Sequence, residues 1–389
     1  MTRVFEAPVA GGGVRVLILG AGTYPNAQVP QPRVPTLPDV SSAAKSALDL
    51  ALRVLGAWKD LFERPLASVD LLVNAPGFPD GVSFTPPGQA ALTLAAPTLA
   101  NIKAARTRWL AGAEKDDILL FYCCGHGIWL PSISRTFLAA DFGADPEDPW
   151  PNAVALDDFR FNLGERKPRR QWVIFDCCAN TPTAALRALA ARPDPLLVGD
   201  AGGRQQAEDQ YGALSQVTLA SSTPGAQAFG KDQRASRFME AFLEACDGAA
   251  FMTQDADGKW WVDQQSLERA IATYAVRVAP SADQAYFTFP RVSQTDANDI
   301  PRLLKRDQTA PCTLLVRSDP PVRLTQAELT ITCPPSVAVV GRQVPGPAAL
   351  ARFRQQVAPW TTYAVEAVFP EGPRVIQRLA LPPLAEAVF

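Results

Sequence analysis

Phe121-Tyr122-Cys123-Cys124-Gly125-His126-Gly127 and Trp172-Val173-Ile174-Phe175-Asp176-Cys177-Cys178 are two short apolar runs that each break off in reactive side chains. Runs of this length without polar alternation read as strands buried on both faces, the pattern of a parallel sheet. Open α/β sheets place their chemistry beyond the carboxyl ends of such strands. His126 is the single histidine of the 389 residues. It stands between two glycines, and Cys178 follows 52 positions later at the end of the second run.

Strands and amphipathic helices alternate on either side of these runs. Val14 to Gly20 reads as a mostly apolar strand, and Ser41 or Ser42 starts a helix with Ala44, Ala47, Leu48, Ala51, Leu52 and Leu55 on one face. Ser68 to Asn74 reads as a strand, and Ala75 to Pro97 is too rich in Pro and Gly for regular structure. Thr98 caps a helix, and Ile118 to Tyr122 leads into the His motif. Further on come a short strand at Thr136 to Ala140, a helix at Ala155 to Leu163 and the strand Gln171 to Phe175. After Cys178 a helix is expected from Thr181 or Thr183 through Ala191, then the strand Gln216 to Ala220 and a helix at Ala235 to Cys246. From about Asp307 the pattern changes to short strands separated by Pro pairs, with only Pro347 to Gln356 offering a helix. The expected fold is therefore α/β, a mostly parallel sheet with helices on both faces, over residues 1–306, followed by a small β-rich domain over 307–389.

Composition narrows the function. Net charge is -2, with 37 basic and 39 acidic residues intermixed, so no global field draws the chain to nucleic acid or anionic lipid. The basic run Arg166-Lys167-Pro168-Arg169-Arg170 reads as a solvated turn rather than a phosphate patch, since no aromatic is interleaved with it. No stretch of 18 apolar residues occurs, and no membrane partner is expected. The cysteines are seven, an odd number, and four form adjacent pairs at strand ends, which argues for a reducing, cytoplasmic setting rather than a disulfide framework. The Gly20-Ala21-Gly22 turn lacks the third glycine of a dinucleotide fingerprint, so no cofactor is expected.

A free thiol of pKa ~8.5 is mostly protonated near neutrality, and a cysteine nucleophile needs a base or a helix N-terminus beside it. His126 can take the proton of Cys178 and return it to a leaving amine. The N–H groups of Gly127 and Cys178 can donate to the oxyanion of a tetrahedral intermediate, each worth ~3 kcal/mol in hydrolases. The same strand ends also suit a metal, because Cys123, Cys124, His126, Cys177 and Cys178 are soft ligands. Adjacent strand residues point to opposite faces, however, so each Cys pair offers one ligand inward, and no metal is expected. A third alternative is a catalytically silent interaction module that keeps the sheet as a scaffold.

The two motifs resemble those of the caspase-like cysteine peptidases, the caspase, metacaspase and paracaspase branch of clan CD. Tyr122-Cys123-Cys124-Gly125-His126-Gly127 is similar to that family's strand ending in Ser/Cys-Gly-His-Gly, and Asp176-Cys177-Cys178 to its Asp-x-Cys. The resemblance runs from about Val14 to Ala279. It implies His126 as base and Cys178 as nucleophile, a protein or peptide as substrate, and leaves room for an activating protein partner. It places Ser221 and Ser222, after the strand Val217 to Ala220, at the substrate site. Asp176 resembles the metacaspase and paracaspase pattern, which goes with a basic P1 residue, and Asp141 is the expected second carboxylate of that pocket. Asn180 departs from the Arg, His or Gln common after the family's cysteine. The stretch Gly199 to Gly212 is expected to be an exposed linker, and Arg204, its only basic residue, the point of self-processing.

Overall fold

A computed structural model describes residues 2–31, 33–130, 134–178, 192–222, 234–273, 291–294, 302–307, 312–336, 338–359, 361–380 and 384–389. The chain divides into two compact units, Met1–Glu240 with Ser281–Pro301, and Ala241–Pro280 with Arg302–Phe389. This differs from a single cut after residue 306. Trp260–Asp263 pairs antiparallel with Arg302–Arg306, and that ladder draws both segments into the second unit.

The first unit is built on a seven-stranded sheet. Its strands are β1 (Arg3–Glu6), β2 (Val14–Ala21), β3 (Leu66–Asn74), β4 (Ile118–Gly125), β8 (Arg170–Cys177), β9 (Ser215–Ala220) and β10 (Arg291–Gln294). A separate three-stranded sheet contains β5 (Gly127–Leu130), β6 (Ser134–Leu138) and β7 (Ala153–Ala155). The main sheet runs in the order β1-β3-β2-β4-β8-β9-β10. The five central strands are parallel, and β1 and β10 close the two edges antiparallel. All residues of β3 and β4 are buried, β4 as its apolar run predicts and β3 in spite of Ser68, Asp70 and Asn74.

Helices cover both faces, and side-chain alternation decides which. α1 (Ser41–Leu55) lies over the face of Val16, Ile18 and Gly20. A Cβ on Gly20 would meet the Ala47 Cβ at 2.7 Å, so the bare glycine lets this helix come close. On the other face α2 (Leu99–Leu110) and α3 (Leu156–Leu163) join Leu17, Leu19, Phe121, Cys123, Phe175 and Cys177 in one core. Trp109 anchors α2 there and donates its indole N–H to the Arg15 carbonyl at 2.9 Å. α4 (Gly203–Tyr211) and α5 (Arg237–Glu244) are two further helices among the described residues. The helix expected from Thr181 or Thr183 through Ala191 falls outside the described residues.

The second unit carries the β-rich tail. A three-stranded sheet (Arg352–Val357, Cys312–Arg317, Leu384–Val388) and a four-stranded sheet (Val339–Gln343, Glu328–Thr332, Thr362–Phe369, Gly372–Leu379) share one apolar core. Tyr363, Val365, Ala367 and Phe369 point in, while Thr362, Glu366 and Val368 face out. Pro347 to Gln356 is not a helix. Arg352–Val357 pairs with Cys312–Arg317 as a strand, because Phe353, Gln355 and Val357 alternate with polar residues at period two. Among the described residues no helix is long and apolar enough to cross a membrane.

Candidate functional site

The chain goes from β2 to β3 on one side and then returns past β2 to β4 on the other, so strand order reverses between β2 and β4. A crevice opens at such a reversal beyond the carboxyl ends of the strands. The loop after β2 brings Tyr24 there, and the end of β4 brings His126. Tyr24 is fully buried; its hydroxyl accepts from the His126 main-chain N–H at 2.7 Å and donates to the Ala21 carbonyl at 3.2 Å. The two rings lie 5.0 Å apart. Gly125 is required at the corner, since a Cβ there would sit 2.7 Å from that hydroxyl.

His126 is held from a second side. Its Nε2 lies 2.8 Å from the carbonyl oxygen of Pro38, in the loop before α1. A carbonyl only accepts, so Nε2 carries the proton and Nδ1 of the neutral ring is left as the acceptor. Burial lowers the imidazole pKa below its ordinary value, with the Pro38 carbonyl and Asp39 pulling it back up.

The end of β8 runs beside this corner. Cys177 pairs with Gly125, and a Cβ on Gly127 would lie 2.2 Å from the Cys178 carbonyl oxygen and 3.0 Å from the Cys177 sulfur. Gly127 and Cys178 therefore pass main chain against main chain. Burial pushes the Tyr24 phenol well up, the bond from His126 N lowers it, and Cys124, Cys177 and Cys178 raise it. Tyr24, His126 and these cysteines thus share one electrostatic neighbourhood. The two adjacent thiols differ. Cys177 is buried in the core with Cys123, whose own thiol is pushed up by burial first and by Cys177 next, whereas Cys178 is partly exposed.

Asp176 points to the opposite face from Cys177. It is buried, accepts from the Tyr122 hydroxyl at 2.8 Å, and also accepts from the Ser236 hydroxyl, which caps α5 by accepting from Met239 N. Its second oxygen, Oδ1, has no hydrogen-bond partner. Burial raises the carboxyl pKa, and Ser236, Tyr122, Ser221 and Cys124 oppose that shift. Ser221 and Ser222 continue the β9 edge: Ser221 N donates to the Phe175 carbonyl at 2.9 Å, and the Ser222 hydroxyl donates to the Cys177 carbonyl at 2.7 Å. The Ser222 carbonyl in turn accepts from Arg135 at 2.9 Å.

Asp141 and Arg204 have partners of their own. Asp141 follows β6, and its Oδ1 accepts from Leu99 N at 2.9 Å, so its carboxylate serves the N-terminus of α2, where negative charge is favoured. Arg204 lies in the first turn of α4, not in an open linker, and its guanidinium stacks on Phe161 at 4.6 Å. Among the described residues no group of three or more His, Cys, Asp or Glu side chains is placed to hold a metal ion.

Tyr24, Pro38, Tyr122, Ser236 and Arg135 had no assigned role in the sequence. An aromatic three residues past the end of β2 was a usable signal for Tyr24. A Pro38 carbonyl has none, because every residue carries one. Tyr24→Phe should destabilise the fold by about 1–3 kcal/mol, since His126 N–H loses its buried acceptor. It should also lower turnover about tenfold by loosening the base. Denaturant midpoints and kcat measured together check this.

The fold is α/β, with a mixed sheet, flanking helices and thiols at the strand ends. No protein-family model matches the sequence, and no curated protein matches it. Among solved structures, caspase-1 from Spodoptera frugiperda aligns with 75% of this chain and 94% of its own at 11% identity and a TM-score of 0.39. No assignment of family or residue rests on that likeness.

Proposed function

We propose that the chain is a cysteine endopeptidase of the caspase-like type. The observation that carries this is the clamp on His126: Tyr24 fixes its main chain, Pro38 fixes its tautomer, and Gly127 beside it runs against Cys178. In the proposed cycle Nδ1 takes the Cys178 proton, and the thiolate adds to the substrate carbonyl. Gly127 N–H and Cys178 N–H donate to the resulting oxyanion. The imidazolium then protonates the leaving amine, and water hydrolyses the thioester with His126 again as base. Motif likeness to caspase-like peptidases supports the same assignment.

A basic P1 residue is the proposed preference. Asp176 supports it, because a buried carboxylate with one oxygen unpartnered suits a guanidinium or ammonium donor, while an acidic P1 would meet like charge. Asp141 is engaged at α2, which leaves Asp176 with Ser221 as the pocket's polar floor. A fluorogenic panel tests activity and specificity at once. Arg or Lys substrates should exceed Asp by at least about tenfold, and Asp176→Asn should narrow the gap. Preference for Asp, or no cleavage of any substrate, would count against the proposal.

The pH profile follows from His126. The base must be neutral, and burial lowers its pKa, so the ring stays neutral below the ordinary 6.5. Activity should fall as pH drops, with the acid limb of kcat/KM centred below that value. A limb at or above 6.5 would show that a different group is the base.

Self-processing after Arg204 belongs to the proposal only for a form in which α4 has opened. A peptide bond within a helical turn does not fit an extended substrate groove.

A further inference from the structure

Within the basic run before β8, Arg169 is not solvated. Arg169 is only 6% exposed, yet it makes no ion pair among the described residues. Its Nε donates to the Gly212 carbonyl at 2.8 Å and its Nη1 to the carbonyls of Gly164 and Arg166 at 2.9 and 3.0 Å. Its Nη2 is buried without a partner. Arg204 of α4 packs on the other side of the same glycine, where a Cβ on Gly164 would meet its Nε at 2.8 Å and its Nη2 at 2.9 Å. Its Nε, too, is buried and unpartnered.

Arg160, in the last turn of α3, is the third cation, and neither Arg160 nor Arg204 forms an ion pair among the described residues. The charges act on one another. Burial lowers the Arg169 pKa and Arg204 lowers it further; burial lowers that of Arg204 and Arg160 adds to it. Glu208 raises both, and Glu165 raises Arg204, so two carboxylates stand near. Glu165 is engaged with Asp200 N at 3.0 Å. Two guanidinium groups meeting at one glycine, each with a buried donor unused, form a costly arrangement that an anion would relieve.

We propose that Arg169 and Arg204, meeting at Gly164 from the loop before β8 and from α4, with Arg160 of α3 as a nearby third cation, form a binding site for a small phosphate-bearing ligand. Fork-shaped guanidinium donors arriving from separate elements suit the several oxygens of a phosphate group better than a planar carboxylate. The site stands at the amino ends of β8 and β9, remote from the strand ends that carry His126 and Cys178, and is independent of the proposed peptidase activity. Bound there, the ligand would tie α4 to the root of the strand that ends in Cys177.

Two measurements on the full chain test it. Pyrophosphate should protect Arg160 and Arg204 from a guanidine-specific dicarbonyl reagent, read by peptide mapping, while sodium chloride at matched ionic strength should not. By titration calorimetry, Arg160→Gln and Arg204→Gln, both partly exposed positions, should each weaken pyrophosphate binding about tenfold or more. Buried Arg169 is left intact so that folding does not confound the result. Equal protection by chloride, or unchanged affinity in both variants, would overturn the site.

Discussion

Cys178→Ala should reduce peptide hydrolysis by about ten-thousandfold, to whatever oxyanion donors and substrate binding achieve alone, while Cys177→Ala stays within a few-fold of the wild type. The two neighbours are chemically identical and separated only by what surrounds them. Cys177 sits in an apolar core against Cys123, and its loss removes packing but no chemistry. Cys178 is the thiol with solvent access, one residue beyond the strand and beside Gly127. His126→Ala should cost nearly as much as Cys178→Ala, and the double variant little more than either, because nucleophile and base act as a unit. The check is kcat/KM on one fluorogenic substrate across the four proteins, with circular dichroism confirming the fold. An active Cys178→Ala protein that fails on loss of Cys177 would reverse the assignment.

Gly127→Ala is the second substitution with a large expected effect, and it touches no reactive atom. The added methyl would stand 2.2 Å from the Cys178 carbonyl oxygen, backbone against backbone, so neither side can yield by rotating a side chain. Either the corner after His126 or the end of β8 must move by about an ångström. Displacements of that size at a nucleophile–base pair cost about a hundredfold in rate. Overpacking should lower stability by about 1–3 kcal/mol as well. The signature is a variant that folds at reduced temperature and binds substrate but turns it over at least about a hundredfold more slowly. Wild-type turnover from Gly127→Ala would mean that the close approach plays no part in catalysis.

The parallel sheet was legible because Ile118 to Tyr122 of β4 and Trp172 to Phe175 of β8 are apolar without interruption, and such runs have few alternatives to burial on both faces. The strand-end position of His126 and Cys178 followed from the same runs. Three local features were hidden for physical reasons. Gly203–Tyr211 looked like a loop because its sequence is small and polar, yet Arg204 on Phe161 and Ala207 in the interior hold it as a helix. Asp141 looked available for a substrate, but a strand-end carboxylate is equally suited to a helix N-terminus, and Leu99 N claims it. Arg169 looked solvated because charge predicts exposure, and only the fold shows it enclosed by the carbonyls of Gly164, Arg166 and Gly212.

The partner of His126 Nε2 is a peptide carbonyl, and that changes how this corner can evolve. A carboxylate in the same role would be lost through one codon. The oxygen at position 38 survives every point substitution, so residue identity there is free to drift while the hydrogen bond persists. What selection must guard instead is the path of the chain between Tyr24 and α1. The proline-rich composition of that stretch, with Pro25, Pro30, Pro32, Pro35 and Pro38, stiffens it. An insertion or deletion in this loop should therefore disable the histidine where substitutions leave it working, making loop length, and not side-chain chemistry, the heritable constraint on the base.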